Sequence, residues 1–428
     1  MNAHIDDASP GMLLPSGWTT QRLKSILLEP LKYGANEAAV DDDPAQPRFV
    51  RITDIAVDGS LRPETFRSIP SEVAQPYMLK EGDLLFARSG ATVGKSVMYT
   101  ASWGPCCFAG YLIRARIDPG KASPQYIRYF SESTLYWQHI ASEQIQATIQ
   151  NVSAERYGNL LVPMPNVAEQ SAVVAYLDRE TAKIDALIAK QEQLIATLRE
   201  DRTATITHAV TKGLNPGIEM RDSGVEWLGC FPKHWDLRPL WAMYRRDKSQ
   251  NHPDQQLLSI YRDHGVVVKE SRTDNFNKAS ADLGYYQLVE PGDLVVNRMK
   301  AWQGSVAISE HRGIISPDYY VYKPLHSENS HYLNYLFRCS RYAAGYGMWS
   351  TGVRPSQWSI TPGDHLHLKS LIPPRDEQDA IAEALTRKCA DIDGLIAKAD
   401  MMIETLREYR SALITDAVTG KIDVRGAA

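Results

Sequence analysis

The chain says nearly the same thing twice. Glu81-Gly82-Asp83-Leu84-Leu85-Phe86-Ala87-Arg88 returns as Pro291-Gly292-Asp293-Leu294-Val295-Val296-Asn297-Arg298, a spacing of 292 − 82 = 210 residues. Leu161-Val162-Pro163-Met164-Pro165 with Glu169-Gln170 returns as Leu371-Ile372-Pro373-Pro374 with Glu377-Gln378. Ile184-Asp185-Ala186-Leu187-Ile188-Ala189-Lys190 returns as Ile392-Asp393-Gly394-Leu395-Ile396-Ala397-Lys398, and Thr197-Leu198-Arg199-Glu200 as Thr405-Leu406-Arg407-Glu408. The period is far longer than that of a solenoid, so each copy is a whole domain with its connector. A chain built this way folds into two similar lobes with internal pseudo-two-fold symmetry.

Local patterning divides each copy in two. Residues 14–165 and 231–375 carry short β-branched runs punctuated by Gly and Pro and are expected to be mixed α/β lobes. Residues 166–213 hold almost no Gly or Pro, with an apolar seam through Ile184, Leu187, Leu194 and Leu198. Asn166 with Glu169 fits a capping box at the start, and Gly213 with Pro216 fits the stop. After a linker at 214–230 and the second lobe, residues 376–422 repeat the pattern. Asp376 is the expected N-cap there, and the seam runs through Ile392, Leu395, Ala399, Met402, Leu406, Tyr409 and Leu413 in alternating steps of three and four. That is a heptad, so the expected class is α+β, with two mixed lobes alternating with two long helices packed as an antiparallel coiled coil. Two amphipathic helices lying on their own lobes are the simpler alternative. Helices of roughly 40 residues would reach about 60 Å, the length of a spacer.

Composition closes off several function classes. With 43% hydrophobic and 23% charged residues the chain is ordinary for a globular protein. It has no apolar run of about 18 residues and no signal-like N-terminus, so no membrane is expected and the location is expected to be cytoplasmic. The five cysteines lack metal or redox spacing and are read as reduced and structural. Net charge is −4, but residues 231–375 hold 18 Lys and Arg against 13 Asp and Glu, or +5, while residues 376–428 hold 7 against 11, or −4. The acidic surplus sits mainly in the helical regions, leaving the lobes free to present basic faces. Ser89-Gly90-Ala91-Thr92-Val93-Gly94-Lys95-Ser96 resembles a phosphate-binding loop but has Ser89 where the first glycine belongs, and Ala301-Trp302-Gln303-Gly304-Ser305-Val306 in the other copy has no Gly-Lys-Ser. A Gly-rich strand-to-strand loop fits better. His365 and His367 are expected to alternate along a strand. No catalytic, cofactor or metal motif is found.

What remains are planar and basic side chains beside turns, the types that read base edges or hold phosphates. The first lobe offers Arg88, Lys95, Gln146, Gln150 and Asn151. The second offers Arg298, Lys300, Trp302, Gln303, Arg354 and Gln357.

The repeat and several local strings together resemble the specificity subunit of a type I restriction-modification system. The strings are Leu14-Pro15-Ser16-Gly17-Trp18, Asp222-Ser223-Gly224-Val225-Glu226-Trp227-Leu228-Gly229 running into Phe231-Pro232-Lys233-His234-Trp235, the two Gly-Asp-Leu turns, and the paired segments at the helix starts and inside the helices. They span about Leu14 to Val424. The resemblance implies a non-catalytic subunit with two target-recognition domains that binds double-stranded DNA at a bipartite, asymmetric target. It also implies a scaffold for DNA-methyltransferase (M) subunits and ATP-dependent restriction (R) subunits, with no cofactor of its own. A pseudo-two-fold body suits half-sites about one helical turn apart, roughly 34 Å. A coiled-coil adaptor joining two protein-binding lobes, without DNA, is the competing expectation.

Overall fold

In the computed structural model, which describes residues 14–38, 41–56, 59–145, 151–262, 264–271, 280, 282–353 and 358–424, the Gly-Asp string forms the same turn in both copies. Gly82 and Gly292 take φ of +83° and +93°, a left-handed conformation that is costly for a residue with a Cβ. The aspartate that follows is buried and closes the turn. Asp83 Oδ2 accepts the Lys80 N–H at 2.8 Å, and Asp293 Oδ2 accepts the Glu290 N–H at 2.7 Å. A cation then meets each carboxylate, Arg116 at 2.7 Å in one copy and Lys323 at 2.7 Å in the other. Burial pushes the Asp293 carboxyl above its ordinary value while Lys323 draws it down. Glycine, aspartate and cation therefore work as a set, because removing the cation would leave a buried charge unpaired.

The strand leaving this turn lies inside a four-stranded antiparallel sheet. In the first copy the order is Lys32–Tyr33, Leu112–Ala115, Leu84–Ala87, Ser96–Met98; in the second it is Tyr244–Asp247, Tyr319–Pro324, Leu294–Asn297, Val306–Ile308. Alternation sends successive side chains to opposite faces. Leu84 and Phe86 enter one cluster and Leu85 and Ala87 another; Leu294 and Val296 divide from Val295 in the same way. A short antiparallel pair closes each lobe, Thr19–Arg22 with Leu161–Met164 and Asp236–Pro239 with Lys369–Ile372. The lobes differ around this frame. The first adds a parallel pair, Arg48–Val50 with Cys106–Phe108, and the second a hairpin, Leu258–Tyr261 with Gly265–Val268. The class is α+β.

Two long helices follow the lobes, Val167–Lys212 of 46 residues and Arg375–Val418 of 44. Asn166 Oδ1 accepts the Glu169 N–H at 2.9 Å and caps the first. The second starts earlier than Asp376: the Pro374 carbonyl takes the Glu377 and Gln378 N–H groups, so Asp376 sits inside the first turn. The chain divides into two units, Met1–Gln191 with Met401–Ala428, and Glu192–Asp400. Both divisions fall inside a long helix, so each unit contains a lobe, the start of one helix and the end of the other.

Repeated residues join these parts within each unit. Gln170 and Gln378 are fully buried. Gln170 Oε1 accepts the Ser123 N–H at 2.8 Å while its Nε2 donates to the Pro165 carbonyl at 3.0 Å; Gln378 does the same with Asn329 at 2.9 Å and Pro373 at 2.8 Å. The Tyr126 hydroxyl lies between the carbonyls of Pro163 and Val418, at 2.8 and 3.1 Å. That of Tyr332 lies between those of Leu371 and Val210, at 3.0 and 3.3 Å. Gly420 turns the chain out of its helix against Pro15 and Trp18, and Gly213 does so against Trp235. The strings Leu14–Trp18 and Phe231–Trp235 thus cover a helix end in their own unit.

Three further expectations are refined. The helix seam holds in part: Ile184, Ile392, Ala399 and Leu413 are buried, but Leu187, Leu194, Leu395 and Met402 are 46%, 45%, 49% and 50% exposed and Tyr409 is exposed too, and at these steps the seam shifts to the buried Ile195 and Ile403. Leu198 and Leu406 are half-buried. Apolar residues stand at both the third and fourth positions of each step, and the isoleucine is buried in preference to the neighbouring leucine or methionine. The shift brings Arg202 and Arg410 to half-buried places, where repeat-equivalent aspartates meet them: Arg410 pairs with Asp185 at 2.9 Å and with Glu132 at 2.8 Å, and Arg202 with Asp393 at 3.5 Å. Second, residues 214–230, the expected linker, carry local structure of their own. Met220–Asp222 pairs with Cys230–Pro232, Leu228 is buried, and the Trp227 ring packs edge-on to Tyr342 at 5.1 Å. Third, His365 and His367 lie on a helix, Pro362–His367, capped by Thr361, and not on a strand.

Candidate nucleic-acid interface

In the first unit the candidate site forms where the central strand ends. Arg88 follows Leu84–Ala87 and donates its backbone N–H to the Tyr111 carbonyl at 3.0 Å, while its own carbonyl accepts the Val152 N–H at 2.8 Å. The second bond, with the Ser89–Asn151 bridge, fixes the end of the amide-rich segment beside the arginine. The guanidinium lies over the Tyr33 ring at 4.7 Å, and the Tyr33 hydroxyl accepts the Ala154 N–H at 2.9 Å. The arginine therefore stacks on a ring that is itself held in place, a cation–π arrangement. Arg88 Nε and Asn151 Oδ1 are buried and meet no partner among the described residues. Tyr111 is 71% exposed beside them. Gln146 and Gln150 lie outside the described residues. Lys95 is exposed on the loop between Leu84–Ala87 and Ser96–Met98, with no carboxylate partner among the described residues. This loop joins two antiparallel strands, and its only helical turn is Gly90–Thr92, so the segment lacks the long helix that a phosphate-binding loop opens.

The second unit repeats the construction. Arg298 follows Leu294–Asn297, and its carbonyl accepts the Ile360 N–H at 3.1 Å. Thr351 and Ser359 pair in a bridge nearby in sequence, while Arg354 and Gln357 lie outside the described residues. Arg298 Nε is also buried without a partner among the described residues. Here the guanidinium meets a carboxylate, with Nη2 donating to Asp318 Oδ1 at 2.8 Å. Lys300 and Gln303 are exposed. Trp302 is committed to its own loop, with Nε1 donating to the Met299 carbonyl at 3.1 Å and its ring 5.5 Å from Trp358.

The structure thus brings Arg88 to Asn151 and Arg298 to Ile360, over sequence distances that hid either link. It adds Tyr33, Tyr111 and Asp318, which sequence reasoning missed. Strand pairing, not the sequence repeat, shows that the last two correspond: Ala87 pairs with Leu112 and Asn297 with Tyr319, so Tyr111 and Asp318 hold equivalent places.

Among the described residues no group of three His, Cys, Asp or Glu side chains is placed to hold a metal. Burial pushes the Cys106 and Cys107 thiols up to about 11 and about 12, away from nucleophilic thiolate. His365 is fully buried between the Tyr322 and Tyr346 rings, and desolvation brings it down to about 3. No described helix is long and apolar enough to cross a membrane.

No protein-family model matches the chain. It is 26% identical over 227 residues to the type I restriction enzyme StySPI specificity subunit of Salmonella potsdam, a match covering 50% of this chain and 47% of that one. It is 21% identical over 430 residues to the type I restriction enzyme EcoKI specificity subunit of Escherichia coli strain K12, covering 96% of this chain and 90% of that one. Its fold matches a chain from a structural study of complex assembly and conformational transition of the type I R-M system, with a TM-score of 0.64, 17% identity, and coverage of 96% of this chain and 100% of that one. The chain is a homologue of the type I restriction enzyme specificity subunits.

Proposed function

We propose that this chain is the DNA-reading specificity subunit of a type I restriction-modification complex. The observation that carries the reading is the duplicated site: in each unit an arginine at the end of the central strand takes, on its own carbonyl, the N–H of a residue from a second, distant segment, Val152 in one and Ile360 in the other. Arg, Asn and Gln are the side chains that bond base edges in the major groove, and exposed Lys95 and Lys300 add attraction for phosphate. Two such sites with unlike surroundings suit a target of two unlike half-sites. Relatives named as specificity subunits, matched over almost the whole chain, support the same reading.

In this reading the target-recognition domains are residues 14–165 and 231–375. The long helices pair antiparallel as a coiled-coil spacer that relates the domains by an approximate two-fold. The equivalent ion pairs Asp185–Arg410 and Arg202–Asp393, each within its own unit, support that register. Methyltransferase and restriction subunits assemble on the chain and perform the chemistry. The reading is tested by co-expressing the chain with its methyltransferase partner in a host free of DNA methylation and mapping modified bases across the genome. A bipartite motif present only with this chain is expected, and replacing residues 14–165 should change one half alone. A stable complex with no chain-dependent methylation would overturn it.

A further inference from the structure

The two sites share a scaffold and an arginine but differ at one adjoining position. Leu112 and Tyr319 stand opposite Ala87 and Asn297 in the same pair of strands. The residues just before them, Tyr111 and Asp318, therefore hold the same place next to Arg88 and Arg298. In the first unit Arg88 stacks on Tyr33, whereas Arg298 donates to Asp318 at 2.8 Å with 43% and 65% of the two side chains exposed. An ion pair this open to water adds little to stability. Once Arg298 turns to a base, the Asp318 carboxylate is left facing a polyanion, where it repels phosphate and weakens binding unless it too accepts a hydrogen bond from a base.

We propose that Asp318 is a specificity-determining residue of the second unit, which with Arg298 reads a single G·C pair. The guanidinium supplies donors to guanine N7 and O6, and the carboxylate beside it accepts from the cytosine N4 amino group. Adjacent donor and acceptor match the major-groove edge of that pair, which presents two acceptors on guanine next to a donor on cytosine. An A·T pair offers acceptor, donor and acceptor in sequence, which leaves thymine O4 facing the carboxylate. Tyr111 brings no charge to its site, so Arg88 works without this constraint and the first unit reads a chemically different edge. The inference rests on the DNA-reading function proposed above.

The test uses the full chain with its methyltransferase partner and reads genome-wide methylation for wild type, Asp318→Ala, Asp318→Asn and Tyr111→Ala. In Asp318→Ala one G·C position in one half of the motif should relax, with methylation of the other bases there rising by about 5- to 150-fold relative to wild type, while the other half is unchanged. Asp318→Asn keeps an acceptor and should relax less. Tyr111→Ala should affect only the opposite half. Methylation at the relaxed sites itself shows that the variant is folded and assembled. An unchanged motif in Asp318→Ala, relaxation at an A·T position, or relaxation spread over both halves would overturn the assignment. If the wild-type chain directs no motif, the DNA-reading function fails first and this assignment falls with it.

Discussion

Replacing Gln170 with methionine, which is close in shape but has neither amide donor nor acceptor, tests whether the repeated glutamine holds lobe to helix. The change leaves the Ser123 N–H and the Pro165 carbonyl without their bonds of 2.8 and 3.0 Å. Each buried group left unpaired costs about 1–3 kcal/mol, so the pair totals about 2–6 kcal/mol. Ser123 is only half-buried and its N–H can recover some hydration, which lowers the expected loss to about 2–4 kcal/mol. Because a chain of two units is a poor subject for a single global unfolding transition, local hydrogen exchange is the assay. Amides of residues 125–130 and 167–177 should exchange roughly 30- to 1,000-fold faster in Gln170→Met than in wild type, if their opening free energy falls by that amount. Ser171→Ala removes only an exposed 3.1 Å bond back to the Val167 carbonyl and should leave these rates nearly unchanged. Acceleration of less than about threefold in Gln170→Met would refute the claim that these bonds couple lobe to helix.

Two further outcomes follow from burial. Ile403→Ala should destabilise the first unit by about 2–4 kcal/mol, because Ile403 is buried, whereas Met402→Ala, at a half-exposed position, should stay within about 0.5 kcal/mol; equal effects in hydrogen exchange of residues 401–418 would contradict the shifted seam. His365 is neutral when folded, with its pKa brought down by desolvation to about 3, so its contribution is full above its ordinary value near 6.5 and is lost as pH falls from there towards 3. At pH 5 the loss is about 1.5 × 1.36, or roughly 2 kcal/mol. His365→Phe keeps a ring between Tyr322 and Tyr346 and should remove that part of the acid sensitivity of the second unit; a pH 7.5 to pH 5 difference equal to that of wild type would reject the assignment.

The scaffold was legible where a string must do one thing. Gly-Asp predicts a turn because the glycine takes a positive φ and the aspartate carboxylate reaches back three residues, and both requirements are local. The Glu-Gln string at each helix start was visible as a repeat, but its use was not: Gln170 and Gln378 act on Ser123 and Asn329, residues 47 and 49 positions away. Part of the seam was misplaced for a related reason. Leu395 beside Ile396 and Met402 beside Ile403 make steps of three and of four equally apolar, so periodicity alone leaves two registers. Arg410 settles between them in the structure, and a register with arginine at a half-buried place is discounted unless Asp185 and Glu132 are known to be near. Glu132 lies on the lobe, 278 residues from Arg410, where no helical period can find it.

The site was half legible for the opposite reason. Arg88 and Arg298 are found by the repeat, because a residue at the end of a repeated strand falls at the same place twice. Tyr111 and Asp318 escape it because no contact in the fold requires either: both are exposed, and the strands after them are held by backbone pairing that accepts any side chain at that point. Likeness between the copies therefore marks residues with structural duties, such as Asp83 and Asp293, Gln170 and Gln378, or Tyr126 and Tyr332. Unlikeness at a position that the scaffold places identically marks residues the fold leaves free. Beside an arginine with its Nε buried and its carbonyl committed to a second loop, that freedom is where two half-sites can come to differ without disturbing either lobe. On this argument, exchanging Tyr111 and Asp318 should alter what each unit reads while leaving the stability of both nearly unchanged.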